Sequence, residues 1–252
     1  MMAAQSENLR LSVVIPSYNE EECLAHTVEK IYQKLGAENI EHEIVVVNDN
    51  STDQTEQVLE KLTRQIPTLR AIKSPYPSGY GFAIRCGLEN FQGDCVATMM
   101  ADTSDSPDDL VRFYRKLTEG FDAVFGSRFM RGGSVVDYPL FKLILNRITN
   151  LFIRIIFGIA YNDVTNAFKM YRRESIAGLQ PFLSHHFNMT VELPLKIIAR
   201  GYSYTVVPNS WTNRKTGESK LKVKEMGSRY LFIILYCLIE KWLVYGDYKK
   251  KT

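Results

Sequence analysis

Two rhythms of apolar and polar positions alternate along the first half of this chain. Short β-branched runs end at turn residues, and each gives way to a longer stretch with apolar residues three and four positions apart. The first rhythm marks strands and the second helices, so their alternation predicts βαβ units and a mostly parallel sheet. Strands are expected over Leu11–Ile15, Glu43–Val47, Leu69–Lys73, Cys95–Met100 and Phe121–Phe125, with another near Ser203–Val207. Helices are expected from about Glu21 to Leu35, from about Gln54, and from Gly79–Gly81 to Glu89. The second half is less regular, with helical patterns over Phe141–Phe157 and Val223–Tyr245. No internal repeat and no linker rich in Pro, Gly or Ser divides the chain. The fold class expected is α/β.

Ligands of open α/β sheets bind beyond the carboxyl ends of the strands. Here those ends carry Pro16-Ser17-Tyr18-Asn19-Glu20, Asn48-Asp49-Asn50-Ser51, the acidic stretch Asp102–Asp109, and Gly126-Ser127-Arg128. The first of these turns has no glycine, and no Gly-Lys-Ser/Thr follows a strand, which argues against a dinucleotide cofactor and a P-loop. The acids are more informative. Asp49 with Asp53, and Asp102 with Asp105, offer hard oxygen ligands that suit Mg²⁺ or Mn²⁺ when a substrate supplies phosphate oxygens. Ser106-Pro107-Asp108-Asp109 reads instead as a helix cap with acids in the first turn. That account leaves Asp102 unexplained, and Asp102 is the better ligand candidate.

Composition narrows the class. With 252 residues, 45% hydrophobic and 23% charged, the chain is globular and not disordered or fibrous. Its 31 Lys/Arg and 28 Asp/Glu leave a net charge of +3, yet from Arg200 onward there are eleven basic and four acidic residues. A basic end suggests an anionic partner. Four scattered cysteines, with no CxxC spacing, read as reduced thiols in a cytosolic protein. The opening MMAAQSENLR has no apolar stretch, so no signal peptide is expected, and the sequons at Asn50 and Asn188 are read as chance. No run approaches the roughly 20 apolar residues of a membrane-spanning helix.

In Phe141–Phe157 the polar residues Lys142, Asn146, Asn150 and Arg154 recur every fourth position and share one helical face. The rest is largely Leu, Ile and Phe, which suits packing on the sheet or contact with a membrane surface. Near the end, Lys220, Lys222, Lys224 and Arg229 precede the apolar run Tyr230–Ile239, followed by Trp242, Tyr245 and Lys249–Lys251. Basic residues, an apolar face and aromatic anchors predict interfacial binding. Nucleic-acid binding is disfavoured, because the lysines adjoin a long apolar run and not interleaved aromatics. His185-His186 reads as packing, and Trp211 as core or site wall.

The stretch Ser12–Glu21 (SVVIPSYNEE) resembles the opening strand and turn of family 2 glycosyltransferases, and Val47–Thr55 (VNDNSTDQT) their second signature. Gly79–Ala83 resembles the Gly-rich loop that follows. Gly126–Phe129, Asp163–Arg172 and Arg214–Leu221 resemble the dolichyl/polyprenyl-phosphate sugar transferase branch. Any one motif is weak, but six in unbroken order over roughly residues 10–222 are strong.

The resemblance implies a GT-A fold that uses a nucleotide-diphosphate sugar and a divalent metal, Mg²⁺ or Mn²⁺. It implies that Pro16, Tyr18, Glu20, Asp49, Gly79 and Asp102 meet the nucleotide, and that Asp102 is the metal ligand. Met100 stands where the family's first metal carboxylate would be, Asn48 replaces an Asp of the second signature, and Asp105 is the candidate compensating carboxylate. Arg128, Lys142, Asn146 and Arg214 fall where the family binds acceptor phosphate, with Lys220 close by in sequence. Lys142 replaces the more usual Arg, which removes bidentate binding there. Asp102, Arg128 and Arg214 are the expected catalytic residues.

Three readings follow. The leading one is an inverting transfer of a hexose from GDP-mannose or a UDP-sugar to polyprenyl phosphate. It is placed at the cytoplasmic membrane face, with a separate membrane subunit as a candidate partner. The second keeps the enzyme class but takes a hydroxyl acceptor, which needs a base, and Asp163 is the only candidate. The third is a non-catalytic nucleotide-sugar or lipid-binding member, for which Met100 and Asn48 speak. Residues 1–222 would form the GT-A domain and 223–252 an amphipathic, basic helical tail.

Overall fold

The structure, a computed structural model, describes residues 8–214, 223–243 and 246–250. β1 (Leu11–Ser17), α1 (Leu24–Ala37), β2 (His42–Asn48), α2 (Thr55–Gln65), β3 (Leu69–Lys73), α3 (Tyr80–Asn90), β4 (Cys95–Thr98), α4 (Pro107–Leu117) and β5 (Ala123–Ser127) alternate as the sequence pattern predicts. Then come β6 (Ser134–Val136), α5 (Leu140–Phe157), β7 (Lys169–Arg172), α6 (Arg173–Gly178), α7 (Met189–Ala199), β8 (Tyr204–Pro208), β9 (Ser210–Thr212) and α8 (Val223–Leu243). The boundary expected at residue 222 lies outside the described residues.

The main sheet has seven strands in the order β3-β2-β1-β4-β7-β5-β8, and β6 pairs with β9 in a separate ribbon. Within the main sheet β7 alone runs antiparallel to its neighbours, β4 and β5. β1 and β2 are buried along their whole length, as befits strands covered on both faces. One core, including Leu24, Val28, Leu59 and Phe113, lies under α1, α2 and α4. A second, including Ile84, Ile153, Ile197 and Ile233, lies under α3, α5, α7 and α8. None of the four cysteines forms a disulfide. Ser106 caps α4, its side chain accepting from the Asp108 amide at 3.2 Å.

α5 is turned inside out. Its polar stripe faces the protein: Asn150 is fully buried, and Asn146 and Asn150 both donate to Thr165 Oγ1, at 2.7 and 2.9 Å. Many of its apolar residues face outward, Phe141 68% and Ile155 72% exposed, while Ile153 and Phe157 are buried in the core. α8 does the same in part, burying Ile233, Ile234 and Cys237 while exposing Leu231, Phe232, Leu235, Ile239 and Trp242. It packs on α7 and α5. Glu240 anchors it to Arg200 at 2.6 and 3.0 Å, and Lys241 donates to the Phe157 carbonyl at 2.6 Å. Among the described residues, no helix is long and apolar enough to cross a membrane.

Candidate active site

The loops after β1 and β2 are laced together. Asn19 and Asn50 adopt left-handed backbone, which Asn tolerates better than most residues. The Asn19 amide donates to Ser51 Oγ at 3.1 Å, Thr52 N to Asn19 Oδ1 at 2.8 Å, and Glu20 N to Thr55 Oγ1 at 3.0 Å. Asp53 accepts from the amides of Glu21 (3.2 Å) and Thr55 (3.0 Å). Burial opposes its ionisation, but the bonds from Thr55 and Glu21 outweigh that and hold its pKa below the ordinary value. Asp53 therefore braces the loops. Asn48 acts in a similar way, its Oδ1 accepting from Ser51 N at 3.0 Å to close a turn.

Asp49 is buried, and its Oδ2 accepts from the Gly79 amide at 2.8 Å. The glycines at the start of α3 make room for backbone: a Cβ on Gly79 or Gly81 would stand 2.6 Å from backbone atoms of the loop at 184–186. His185 stacks on Phe82 with centroids 4.3 Å apart, the packing role expected of it. Pro16 lies buried in β1 opposite Val47. Pro16, Tyr18, Glu20, Asp49 and Gly79 thus gather around the ends of β1 and β2, off the wall of a cavity beyond the ends of β4 and β5.

That cavity holds about 420 Å³ and brings together Asp102, Asp105, Arg128, Lys142, Asn146 and Arg214. Asp102 and Asp105 follow β4, Arg128 follows β5, Lys142 and Asn146 come from α5, and Arg214 follows β9. Lys220 lies outside the described residues. Arg214 joins the two groups of residues, its guanidinium 2.6 Å from Asp102 Oδ2 and 3.3 Å from Glu20 Oε1.

Arg128 is more constrained than the sequence suggests. Asp163, fully buried, grips its guanidinium with both oxygens at 2.8 Å and accepts from its backbone amide at 3.0 Å. The ring of Tyr138, another wall residue, lies 5.6 Å from the same guanidinium. Asp163 is absent from the cavity wall, so the candidate base of the hydroxyl-acceptor reading serves to hold Arg128. Trp211 is site wall, tilted against Tyr138 at 4.8 Å.

The acids after β4 fit a hard divalent cation. Asp102 Oδ1 accepts from Ser104 N at 3.1 Å, and Asp105 Oδ2 from Met100 N at 3.1 Å. Burial, with the neighbouring Asp102 charge, pushes the Asp105 carboxyl up to about 7. Ser104 Oγ is buried beside them on the cavity wall and has no hydrogen-bond partner among the described residues. An orphaned hydroxyl next to two carboxyls is an oxygen donor set of the kind Mg²⁺ and Mn²⁺ take, with substrate oxygens completing the shell. Among the described residues no three His, Cys, Asp or Glu cluster as a closed site. Ser104 is a site residue that the sequence pattern does not reveal, because an unbonded hydroxyl has no sequence signature.

Residues 12–179 match the profile of glycosyl transferase family 2. The chain belongs to this family. Curated relatives include a polyprenol monophosphomannose synthase of Mycolicibacterium smegmatis, 29% identical over 84% of this chain and 81% of that protein. A dolichol-phosphate mannosyltransferase of Pyrococcus furiosus is 30% identical over 86% of this chain, which spans only 60% of that longer protein. An undecaprenyl-phosphate mannosyltransferase of Micrococcus luteus is 26% identical over 93% of this chain and 96% of its own length. Among solved structures, glucosyl-3-phosphoglycerate synthase from Mycobacterium tuberculosis in complex with Mn²⁺, UDP-glucose and phosphoglyceric acid superposes with a TM-score of 0.68. It is 18% identical, over 92% of this chain and 79% of that one, and carries the fold alone. The family 2 glycosyltransferase described here thus has the GT-A architecture that its sequence implied.

Proposed function

We propose that this glycosyltransferase moves a hexose from a nucleotide-diphosphate sugar, GDP-mannose or a UDP-sugar, to polyprenyl phosphate at the cytoplasmic face of a membrane. The observation that carries the proposal is the cationic cavity itself. Arg128, Lys142 and Arg214 converge on it, and two of its walls are helices whose outer faces are apolar. A lipid phosphate needs both features, charge for its head and an apolar approach for its chain. The names of the relatives point the same way.

The chemistry needs no general base. A phosphomonoester, with second pKa around 6, is largely ionised at neutral pH. Its oxygen attacks the anomeric carbon in line as the bond to the nucleotide diphosphate breaks, and the configuration inverts. Cations hold and orient the nucleophile, a role for Arg128, Lys142 and Arg214 with Asn146 beside them. Pro16, Tyr18, Glu20, Asp49 and Gly79 are assigned to the nucleotide end, which Arg214 connects to Asp102 through its pairing with Glu20. Mg²⁺ or Mn²⁺ held by Asp102, Ser104 and Asp105 would neutralise the departing diphosphate. The hydroxyl-acceptor reading loses support because both Asp163 oxygens are taken by Arg128. The non-catalytic reading loses its Asn48 argument, since that side chain shapes a turn.

The test is radiolabelled transfer from GDP-mannose and UDP-hexoses to polyprenyl phosphate in detergent, with divalent metal or EDTA. Lipid-linked product is expected, falling by about 10²–10³ in Asp102→Ala, the usual loss for a group that stabilises transition-state charge. Nucleotide binding with no lipid product from any donor would sink the reading.

A further inference from the structure

Tyr230 of α8 has no part in the chemistry above, yet it reaches the same cavity. It stands beside Leu231 and Phe232, both exposed on the outer face, but its own side chain turns in to the cavity wall. Gly227, one turn earlier, lines the same wall. The phenol oxygen meets the side chain of Thr190, at the start of α7. Thr190 Oγ1 donates its own proton to the Phe187 carbonyl at 2.7 Å.

We infer that the Tyr230 hydroxyl is a binding group for the acceptor phosphate, donating to one of its oxygens from the α8 side of the cavity. The inference rests on the polyprenyl-phosphate reading above. Rotation about the C–O bond can aim the phenol proton at an anion in the cavity without moving the ring. Such a contact is favourable, because a hydrogen bond to a charged oxygen is roughly twice as strong as one between neutral groups. Burial raises the phenol pKa to about 12, so the hydroxyl stays protonated and able to donate throughout the physiological range. The cations reach the same wall from α5, after β5 and after β9, so Tyr230 adds a neutral donor from a further element, α8. It also makes α8 part of the site: a phosphate bound this way reports whether the helix is seated.

Calorimetric binding of farnesyl phosphate and of farnesol to the full chain, wild type and Tyr230→Phe, tests this. The variant keeps the ring and loses only the hydroxyl. Farnesyl phosphate affinity is expected to fall about tenfold, in keeping with the loss of one charge-assisted bond, with farnesol affinity and melting temperature unchanged. Unchanged farnesyl phosphate affinity overturns the inference, as does an equal loss for farnesol, which would mark a packing role. Wild-type protein that binds no farnesyl phosphate overturns it too. A Tyr230-dependent phosphate site in a protein that makes no lipid-linked sugar would leave the contact standing and remove the transfer reading instead.

Discussion

Lys169 sits behind Asn166 and Thr190 of the cavity wall, with 1% of its surface exposed. Its ammonium donates to the carbonyls of Val164 and Thr190 at 3.1 Å, and to that of Asn166. It thereby pins the loop that carries Asp163, Thr165 and Asn166 to the first turn of α7. Burial pulls its pKa down to about 7, against an ordinary value of 10.5. Between those two pH values the unfolded chain binds the proton that the folded one has released. Stability contributed by this site therefore rises with pH from about 7 to about 10. The difference in unfolding free energy between wild type and Lys169→Met, followed by denaturant titration across that range, should change in wild type's favour as pH rises. A flat difference would show that the lysine keeps its proton when folded. Nothing in the sequence marks Lys169, because its partners are backbone carbonyls and lysine is ordinarily exposed. Asp102 was legible for the opposite reason: a lone acid after a buried strand that no cap explains.

At the scale of elements, α5 is the case where pattern and structure separate. Periodicity gave the helix and its polar face correctly, but periodicity cannot say which face meets the protein. The inward side is decided by Asn150, which donates to Thr165 Oγ1 and accepts from Thr165 N at 3.3 Å. Replacing Asn150 with Leu leaves those buried groups unpaired and should cost about 1–3 kcal/mol in chemical denaturation. Replacing exposed Ile144, Ile148 and Ile155 together with Ser should leave the unfolding free energy within about 0.5 kcal/mol, as surface changes do. The same triple variant should sediment far less with anionic lipid vesicles, since burial of apolar area drives interfacial binding. Unchanged sedimentation would mean that α5 does not meet the lipid. β7 is hidden in the sequence for another reason. Four residues, Lys-Met-Tyr-Arg, are too short and too polar to announce a central strand, although their neighbours β4 and β5 bury them.

The whole molecule is a sheet legible from its alternating rhythm, plus a closure by α8 that is not. The closure depends on a pair forty residues apart, Arg200 and Glu240, both nearly buried, with Arg200 also donating to the Gly178 and Gln180 carbonyls at 2.6 and 3.0 Å. Such long-range pairing leaves no local trace. Glu240→Ala strands the arginine without its counter-ion and should cost about 3–5 kcal/mol, with faster amide exchange in α8 ahead of the sheet. Exchange that speeds equally in β1 and β2 would show that α8 is no separate unit. The two helices that wall the cavity also set how a rate on vesicles would scale. A protein lying on α5 and α8 meets its lipid acceptor by lateral diffusion in a plane, while the nucleotide sugar arrives from three dimensions. Once all enzyme is adsorbed, diluting the vesicle suspension should leave turnover unchanged. Thinning the acceptor within each vesicle should lower it, so that mole fraction in the surface, and not molarity, is the variable the enzyme reads.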